Sequence, residues 1–234
     1  MTTIHRVRAA IVGVVLAALF CVPAVSAAPS GGGGGASAPV QSRPSSPEQL
    51  AEAAYERGLK HKERAWKAQE KAGAARDAGK DKRAKRYDER AEREFKKAQA
   101  EFASVLKALP EHFKAANELG YTLRQLGDYE NAIGAYNYAL KVHPEFYQAI
   151  EYRAEALLAL AFYAETRDSY LTLFEHDRPL ADTLMAKLQA WAAEQRADNR
   201  MPSARARQFL EWLDTRAEVS ALGAAGDGGI SGGW

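Results

Sequence analysis

Residues 113–146 form a module that constrains the fold more than any other part of the chain. Apolar and small residues recur there at helical spacing on both sides of a short turn at Gly127 and Asp128. Gly127 can adopt the left-handed conformation that ends one helix, and Asp128 can cap the next. The length of the module, about 34 residues, is a period typical of helical hairpins that stack into a solenoid. It therefore predicts an all-α fold of stacked hairpins.

The side chains inside this module follow the pattern of a known repeat. They are small where two helices cross closely, aromatic at one packing position and proline at the end: Gly120, Ala132, Tyr136, Ala139 and Pro144. The module closely resembles a tetratricopeptide repeat, although Ala116 stands where that repeat often has a bulky aromatic residue. The resemblance implies a binding scaffold rather than an enzyme.

The same pattern continues in weaker form on the C-terminal side. Residues 147–180 match as a degenerate repeat, with Ala154 and Tyr170 at two of the expected places. Further apolar stripes, around Leu184 and Leu213, predict two more helices. These last helices match the repeat pattern poorly, and we expect them to cap the stack.

On the N-terminal side only the second half of a repeat is recognisable. Lys85 and Arg86 stand one repeat period before the Leu-Gly pair of the central module. We therefore expect one long helix over residues 81–109, packed on another over 47–77. The predicted fold class is thus all-α: a short solenoid of helical hairpins resembling tetratricopeptide repeats, with a long N-terminal hairpin and C-terminal capping helices.

The first residues predict export. A short basic start precedes an apolar run over residues 9–22, and small residues follow, so we predict a signal peptide over residues 1–27. The run is shorter than the roughly 20 residues that span a bilayer, which makes an uncleaved anchor the weaker alternative. Cys21 is the only cysteine, so the mature chain would hold no disulfide. The style of signal favours a periplasmic or secreted bacterial protein.

Glycine-rich segments flank the helical part of the chain. Residues 28–46 contain Gly, Ser and Pro with five consecutive glycines, and we interpret them as a flexible linker. Residues 223–234 are similarly rich in glycine and are expected to be a disordered tail. The predicted helical domain therefore covers residues 47–222.

Charge is distributed unevenly between the two halves of the chain. Residues 48–110 hold 17 Lys and Arg against 12 Asp and Glu, whereas residues 111–234 hold 12 against 18. The densest basic run consists of Lys80, Lys82, Arg83, Lys85 and Arg86. One interpretation is an ordinary solvated helix face with i,i+4 pairs such as Glu92–Lys96. The alternative is that the basic helix over residues 80–97 binds an anionic envelope polymer or membrane surface.

The family resemblance also implies where a partner would bind. In tetratricopeptide repeats the first helix of each hairpin lines a concave groove. The corresponding positions here are Lys114, Asn117, Tyr121, Arg124, Gln148, Glu151 and Glu155. The same positions could equally be ordinary solvated residues. The mixed signs favour a peptide or a helix as the guest.

No pattern of catalytic or metal-ligating residues is apparent. The five histidines form no metal motif, and the sequence offers no convergent carboxylate or histidine pair. Three tryptophans, Trp66, Trp191 and Trp212, are expected to be packing anchors. We therefore expect a non-catalytic interaction scaffold in the bacterial cell envelope, with a protein or peptide partner. No cofactor, metal, nucleic acid or membrane association after signal cleavage is expected.

Overall fold

The computed structural model describes residues 46–197 and 202–226 and shows eight α-helices within them. They are α1 Pro47–Asp77, α2 Asp81–Ala108, α3 Phe113–Gln125, α4 Tyr129–Val142, α5 Tyr147–Ala159, α6 Tyr163–His176, α7 Arg178–Ala197 and α8 Ala204–Gly226. These described residues contain no strand, so the predicted all-α helical repeat fold is confirmed. Helix α8 continues past the predicted domain end at residue 222. The predicted signal, residues 28–45 of the linker and residues 227–234 lie outside the described residues.

Helix α1 begins and ends as its local sequence predicts. The Gln49 amide donates to Ser46 Oγ at 3.2 Å and the Ser46 amide donates to Gln49 Oε1 at 2.9 Å, which completes a capping box. Pro47 occupies the first helical position, where a missing N–H costs nothing. At the other end Gly79 has a φ of 66°, and this left-handed residue reverses the chain toward α2.

Small side chains allow α1 and α2 to pack closely along their full length. Buried positions recur mostly at intervals of three, four and seven residues, as in an antiparallel coiled coil. On α1 they are Ala51, Ala54, Gly58, Ala65, Ala68, Ala72 and Ala75. On α2 they are Ala84, Ala91, Phe95, Ala98, Phe102 and Val105. The predicted packing of the two long helices is therefore confirmed.

One packing device is shared by the long hairpin and the central repeat. A Cβ placed on Gly120 would lie 2.7 Å from the Tyr136 ring, and one placed on Gly58 would lie 2.5 Å from the Phe102 ring. In each hairpin, a glycine of the first helix thus receives an aromatic ring of the second. The sequence analysis found no repeat glycine on the N-terminal side, because Lys85 and Arg86 stand one fixed period before Leu119 and Gly120, and the residue that takes this role is Gly58.

The reason is an insertion that keeps the helical phase. The part of α1 that follows Gly58 is about two heptads longer than the part of α3 that follows Gly120. Likewise, the part of α2 that precedes Phe102 is about two heptads longer than the part of α4 that precedes Tyr136. Each long helix is therefore extended by about 21 Å. The α1–α2 hairpin is an elongated repeat that a search at one fixed period cannot detect.

The two shorter hairpins end their first helices in the same way. Gly127 has a φ of 82° and Ala161, at the equivalent place one repeat later, has a φ of 60°. In both, the following amide reaches back across the end of the helix, from Asp128 to Leu123 O and from Phe162 to Leu157 O, each at 2.9 Å. Asp128 also caps α4, as predicted, by accepting from the Asn131 amide at 3.4 Å.

The C-terminal helices pack against the second short hairpin. Leu173, Leu184 and Leu188 are fully buried at their junction. Trp191 and Trp212 lie half-buried at the edge of this cluster, which confirms them as packing anchors. Trp66 differs because 39% of its surface remains exposed. Among the described helices, none combines the length and the apolar character needed to cross a bilayer.

Candidate partner-binding face

The first helices of successive hairpins, α1, α3, α5 and α7, form one side of the molecule, which we call the first-helix face. Helix α3 contacts α5, and α5 contacts α7. Side-chain bonds join α1 to α3, α3 to α5 and α5 to α7 across this face. The face is therefore continuous from the long hairpin to the C-terminal helices.

An aromatic contact joins α1 to α3. The Trp66 indole N–H donates to the Tyr121 hydroxyl at 2.6 Å, and the two rings meet edge-on with centroids 5.8 Å apart. Lys62 pairs with Glu118 beside them and lies 4.8 Å from the centre of the Trp66 ring. Burial raises the pKa of Tyr121 to about 12, so its hydroxyl stays protonated at neutral pH.

A buried ion pair joins α3 to α5. Arg124 Nη1 donates to Glu155 Oε2 at 2.7 Å, and these side chains are only 7% and 5% exposed. The guanidinium lies 5.2 Å from the centre of the Tyr121 ring and 5.6 Å from that of Tyr152. Burial is the largest single influence and would lower the pKa of Arg124, but Glu155 together with Tyr136 and Tyr121 outweighs it, so that the pKa is raised. The cation is thus held between two rings and a carboxylate.

A second ion-pair cluster joins α5 to α7. Lys187 Nζ donates to Glu151 Oε1 and to Glu155 Oε1, both at 2.6 Å. Burial and the neighbouring Glu155 raise the pKa of Glu151 to about 7, although Lys187 acts in the opposite direction. Burial would lower the pKa of Lys187, but Glu155 and Glu151 raise it.

The expectation that the sequence holds no convergent carboxylate pair is wrong. Glu151 and Glu155 lie four residues apart on one face of α5, and Lys187, on a different hairpin, contacts both. A carboxyl group with a raised pKa is a feature that active sites share. Glu151 is only 1% exposed, however, and a substrate would reach it only if α5 and α7 separated. Within the described residues there is also no cluster of histidine, cysteine and acidic side chains suited to a metal ion. The arrangement is suited to holding α5 against α7.

The predicted groove residues do not form one open surface. Lys114 and Gln148 are exposed and Tyr121 is half-buried. Asn117, Arg124, Glu151 and Glu155 are buried, and the last three are bonded within the chain. The Asn117 Oδ1 atom is buried with no hydrogen-bond partner in the described structure. That these residues bind a partner stays a prediction, and four of them are inaccessible in this conformation.

The accessible part of the face lies nearer the long hairpin than the sequence indicated. Trp66 is exposed there, and Gln69 Nε2 beside it donates to Gln125 Oε1 at 3.0 Å. Sequence reasoning missed Trp66 and Gln69 because it did not recognise α1 as the first helix of a repeat. The glycine at position 58, in a helix rich in alanine, was the signal that could have identified it.

The opposite side of the stack carries a shallow recess of about 340 Å³. Arg153 lies in its wall and donates to Asn137 Oδ1 at 2.8 Å, and burial lowers the pKa of Arg153. Glu165 and Asp168 also line the recess. One cation against two acids favours no single class of charged ligand.

The basic run lies at the far end of the long hairpin. Its five residues, Lys80, Lys82, Arg83, Lys85 and Arg86, are all exposed. The pair between Glu92 and Lys96 that the sequence predicts is present at 2.8 Å. Arg83 Nη2 donates to the Tyr87 hydroxyl at 3.3 Å rather than to a carboxylate. Whether this run binds an anion stays a prediction.

Comparison with known proteins agrees with this geometry. A family model described as tetratricopeptide repeat matches residues 83–145 and, in a second overlapping match, residues 120–173. No curated protein matches the chain. Tetratricopeptide repeats generally mediate protein–protein interactions, and proteins built from them are typically non-catalytic scaffolds. The chain is therefore an all-α helical repeat protein, and its residues 83–173 are similar to tetratricopeptide repeats.

Proposed function

We propose that this chain is a non-catalytic adaptor of the bacterial cell envelope that binds a segment of a partner protein on its first-helix face. The observation that carries the proposal is the exposed Trp66 ring, fixed against Tyr121 where α1 meets α3. Tryptophan and tyrosine are among the residue types that most often dominate binding energy at interfaces. Trp66 therefore marks the centre of the proposed contact.

The surroundings of Trp66 favour a preorganised site. Its indole N–H is already bonded to Tyr121, so little side-chain freedom is lost when a partner covers the ring. Gln69 and Gln125 lie on the same junction and can exchange their mutual bond for bonds to a partner backbone. An extended or helical segment with an apolar side chain over Trp66 fits this arrangement.

The charges on the face argue against recognition of a free carboxylate. Lys62 pairs with Glu118, Arg124 with Glu155, and Lys187 with two carboxylates. A guest carboxylate would have to displace an existing partner of one of these cations, and that exchange returns little net energy. The proposed guest is therefore bound through apolar and amide contacts.

The envelope setting rests on the predicted signal over residues 1–27. A basic start, an apolar run and small residues near Ala27 are what signal peptidase substrates share. Fractionation of the native cells with N-terminal sequencing of the purified chain tests this part separately. A mature chain that starts near residue 28 supports export, and an intact Met1 in the cytoplasm would contradict it.

Site-specific photo-crosslinking tests the binding face. A photoreactive residue replaces Gln69 on the first-helix face or, as the matched control, Lys141, which is exposed on α4. The proposal expects one dominant cross-linked protein from position 69 and little from position 141. Adding Trp66→Ala to the position-69 variant should reduce that product at least fivefold. Equal capture from both positions, or none from position 69, would contradict the proposal.

A further inference from the structure

The long hairpin extends beyond the helical stack. Gln69 is the last residue of α1 whose described side-chain bond reaches α3. The bonds and ring contacts described for residues 70–90 are formed within the hairpin, for example between Arg76 and Asp88 at 2.6 Å. Since each long helix is extended toward this end by about 21 Å, the turn at residues 78–80 lies well away from the other hairpins.

This end of the hairpin concentrates cations that lack acidic partners. We call Lys80, Lys82, Arg83, Lys85 and Arg86 the basic tip; none of the five lies within ion-pair distance of a carboxylate in the described structure. Some exposed cations elsewhere on α1 and α2 are paired, as in Lys67–Glu63 and Lys97–Glu94, but only the basic tip gathers five unpaired cations within seven residues. The basic tip thus has an excess of positive charge over Asp77 and Asp81, the two exposed carboxylates at the same turn.

The positive potential of the basic tip comes from its side chains. The positive end of the α2 dipole and the negative end of the α1 dipole lie together at this turn and largely cancel. Residues 111–234 carry a net excess of six acidic side chains, so an anionic surface would repel the body of the protein and attract the basic tip.

We propose that the basic tip docks end-on against an anionic phospholipid surface. Its five cations lie within the first two turns of α2 and point to several sides of the helix. All five cations can reach a flat membrane surface that meets the hairpin end-on. A linear polymer would instead need a row of cations along the length of a helix. The cations are not interleaved with stacking rings apart from Tyr87, which disfavours single-stranded nucleic acid.

The contact is electrostatic rather than inserted. The residues of the turn, Ala78 and Gly79, are exposed and small, so no large apolar side chain is available there to enter the hydrocarbon. Clusters of four to eight Lys and Arg residues are known to attract proteins to anionic lipid headgroups, and the attraction falls off within a Debye length. We therefore expect reversible binding that weakens steeply with salt. This goes beyond the adaptor proposal and chooses the membrane surface from the two anionic partners that the sequence left open as an alternative.

Vesicle sedimentation of the purified chain, starting at residue 28, tests the proposal. Vesicles contain either phosphatidylcholine alone or the same lipid mixed with phosphatidylglycerol, which is anionic. The tip variant is Lys82→Glu, Arg83→Glu, Lys85→Glu and Arg86→Glu. The matched control reverses four exposed cations elsewhere, Lys60, Lys107, Lys141 and Arg205, and so has the same net charge.

The proposal expects binding to the anionic vesicles only, at least tenfold weaker at about 0.3 M salt than at about 0.05 M salt. Binding should be lost in the tip variant and retained within threefold in the control variant. Circular dichroism establishes that both variants are folded. Equal loss in both variants, or no binding by the unmodified chain, would overturn the proposal. Tighter binding to soluble polyphosphate or to duplex DNA than to vesicles, at equal phosphate concentration, would also overturn it, in favour of a soluble polyanion.

Discussion

Gly120 and Tyr136 lie in direct contact at the centre of the best-matched repeat, with no space for a methyl group between them. A Cβ on Gly120 would approach the Tyr136 ring to 2.7 Å, and this ring is fully buried and cannot move into solvent. Close packing of α3 on α4 therefore requires glycine at this position.

Gly120→Ala should accordingly destabilise the protein by about 1–3 kcal/mol, because the ring must shift within a packed core. Gly134→Ala is the matched control, since Gly134 is exposed on α4 with no atom within 4 Å of the added Cβ. Alanine favours the helix there, and the control should gain roughly 0.5–1 kcal/mol. Urea denaturation followed by circular dichroism measures both changes. Equal effects of the two substitutions would show that α3 and α4 do not pack as described.

Ala161 occupies a backbone conformation that suits glycine. Its φ is 60°, and it stands one repeat after Gly127, whose φ is 82°. A left-handed residue with a Cβ costs roughly 1–2 kcal/mol, so Ala161→Gly should raise the free energy of unfolding by about 0.5–1 kcal/mol once the added chain entropy is subtracted. The reciprocal change, Gly127→Ala, should lower it by about 1 kcal/mol. Thermal denaturation of both variants checks the prediction, and destabilisation by Ala161→Gly would refute it.

Glu151 makes stability depend on pH in an unusual direction. Between its ordinary pKa of 4.5 and its raised value of about 7, the folded chain retains a proton on Glu151 that the unfolded chain has released. Unfolding therefore releases a proton, and the contribution of Glu151 to the free energy of unfolding falls as pH rises through this window.

Glu151→Gln removes this titration. Relative to the unmodified protein, the variant should gain on the order of 1–3 kcal/mol as pH rises from 4.5 to about 7. Glu130→Gln, at an exposed position of α4, controls for the loss of one carboxylate and should show no such gain. Urea denaturation at closely spaced pH values measures the three profiles. Parallel profiles for Glu151→Gln and the unmodified chain would mean that Glu151 is ionised throughout the window.

Much of the fold was accessible from local signals in the sequence. The predicted helix at Pro47–Asp77 agrees with α1 at both ends, since its capping box and its Gly79 turn are encoded within a few residues. The central repeat agrees for the same reason, because Gly120, Gly127 and Tyr136 each have one demanding role. Steric and capping requirements that act over a few residues restrict which residue types can occur, so a single sequence is enough to predict them.

The candidate site was predicted less well because it depends on neighbours far along the chain. Whether Glu155 faces solvent or a cation is decided by Arg124 and Lys187, which lie 31 and 32 residues away. Trp66 could be predicted as part of the site only if α1 was recognised as a repeat helix. The extra heptads in both long helices prevented that recognition. Periodicity at a fixed step fails wherever a repeat grows in whole heptads, because the packing phase is kept while the numbering shifts.

The same relation, in which the long hairpin is an elongated repeat in phase with the others, is tested most directly by shortening it. Deleting residues 70–76 and 82–88 removes one heptad from each helix and restores the same faces with a rotation of only about 20°. Deleting residues 70–74 and 84–88 removes five from each and rotates the faces by about 140°. The free energy of unfolding should change by less than about 2 kcal/mol in the heptad-deletion variant. In the five-residue-deletion variant it should fall by at least twice the change seen in the heptad-deletion variant. If the heptad deletion proves as damaging as the five-residue deletion, the long hairpin does not share the phase of the repeats and the continuous first-helix face is refuted.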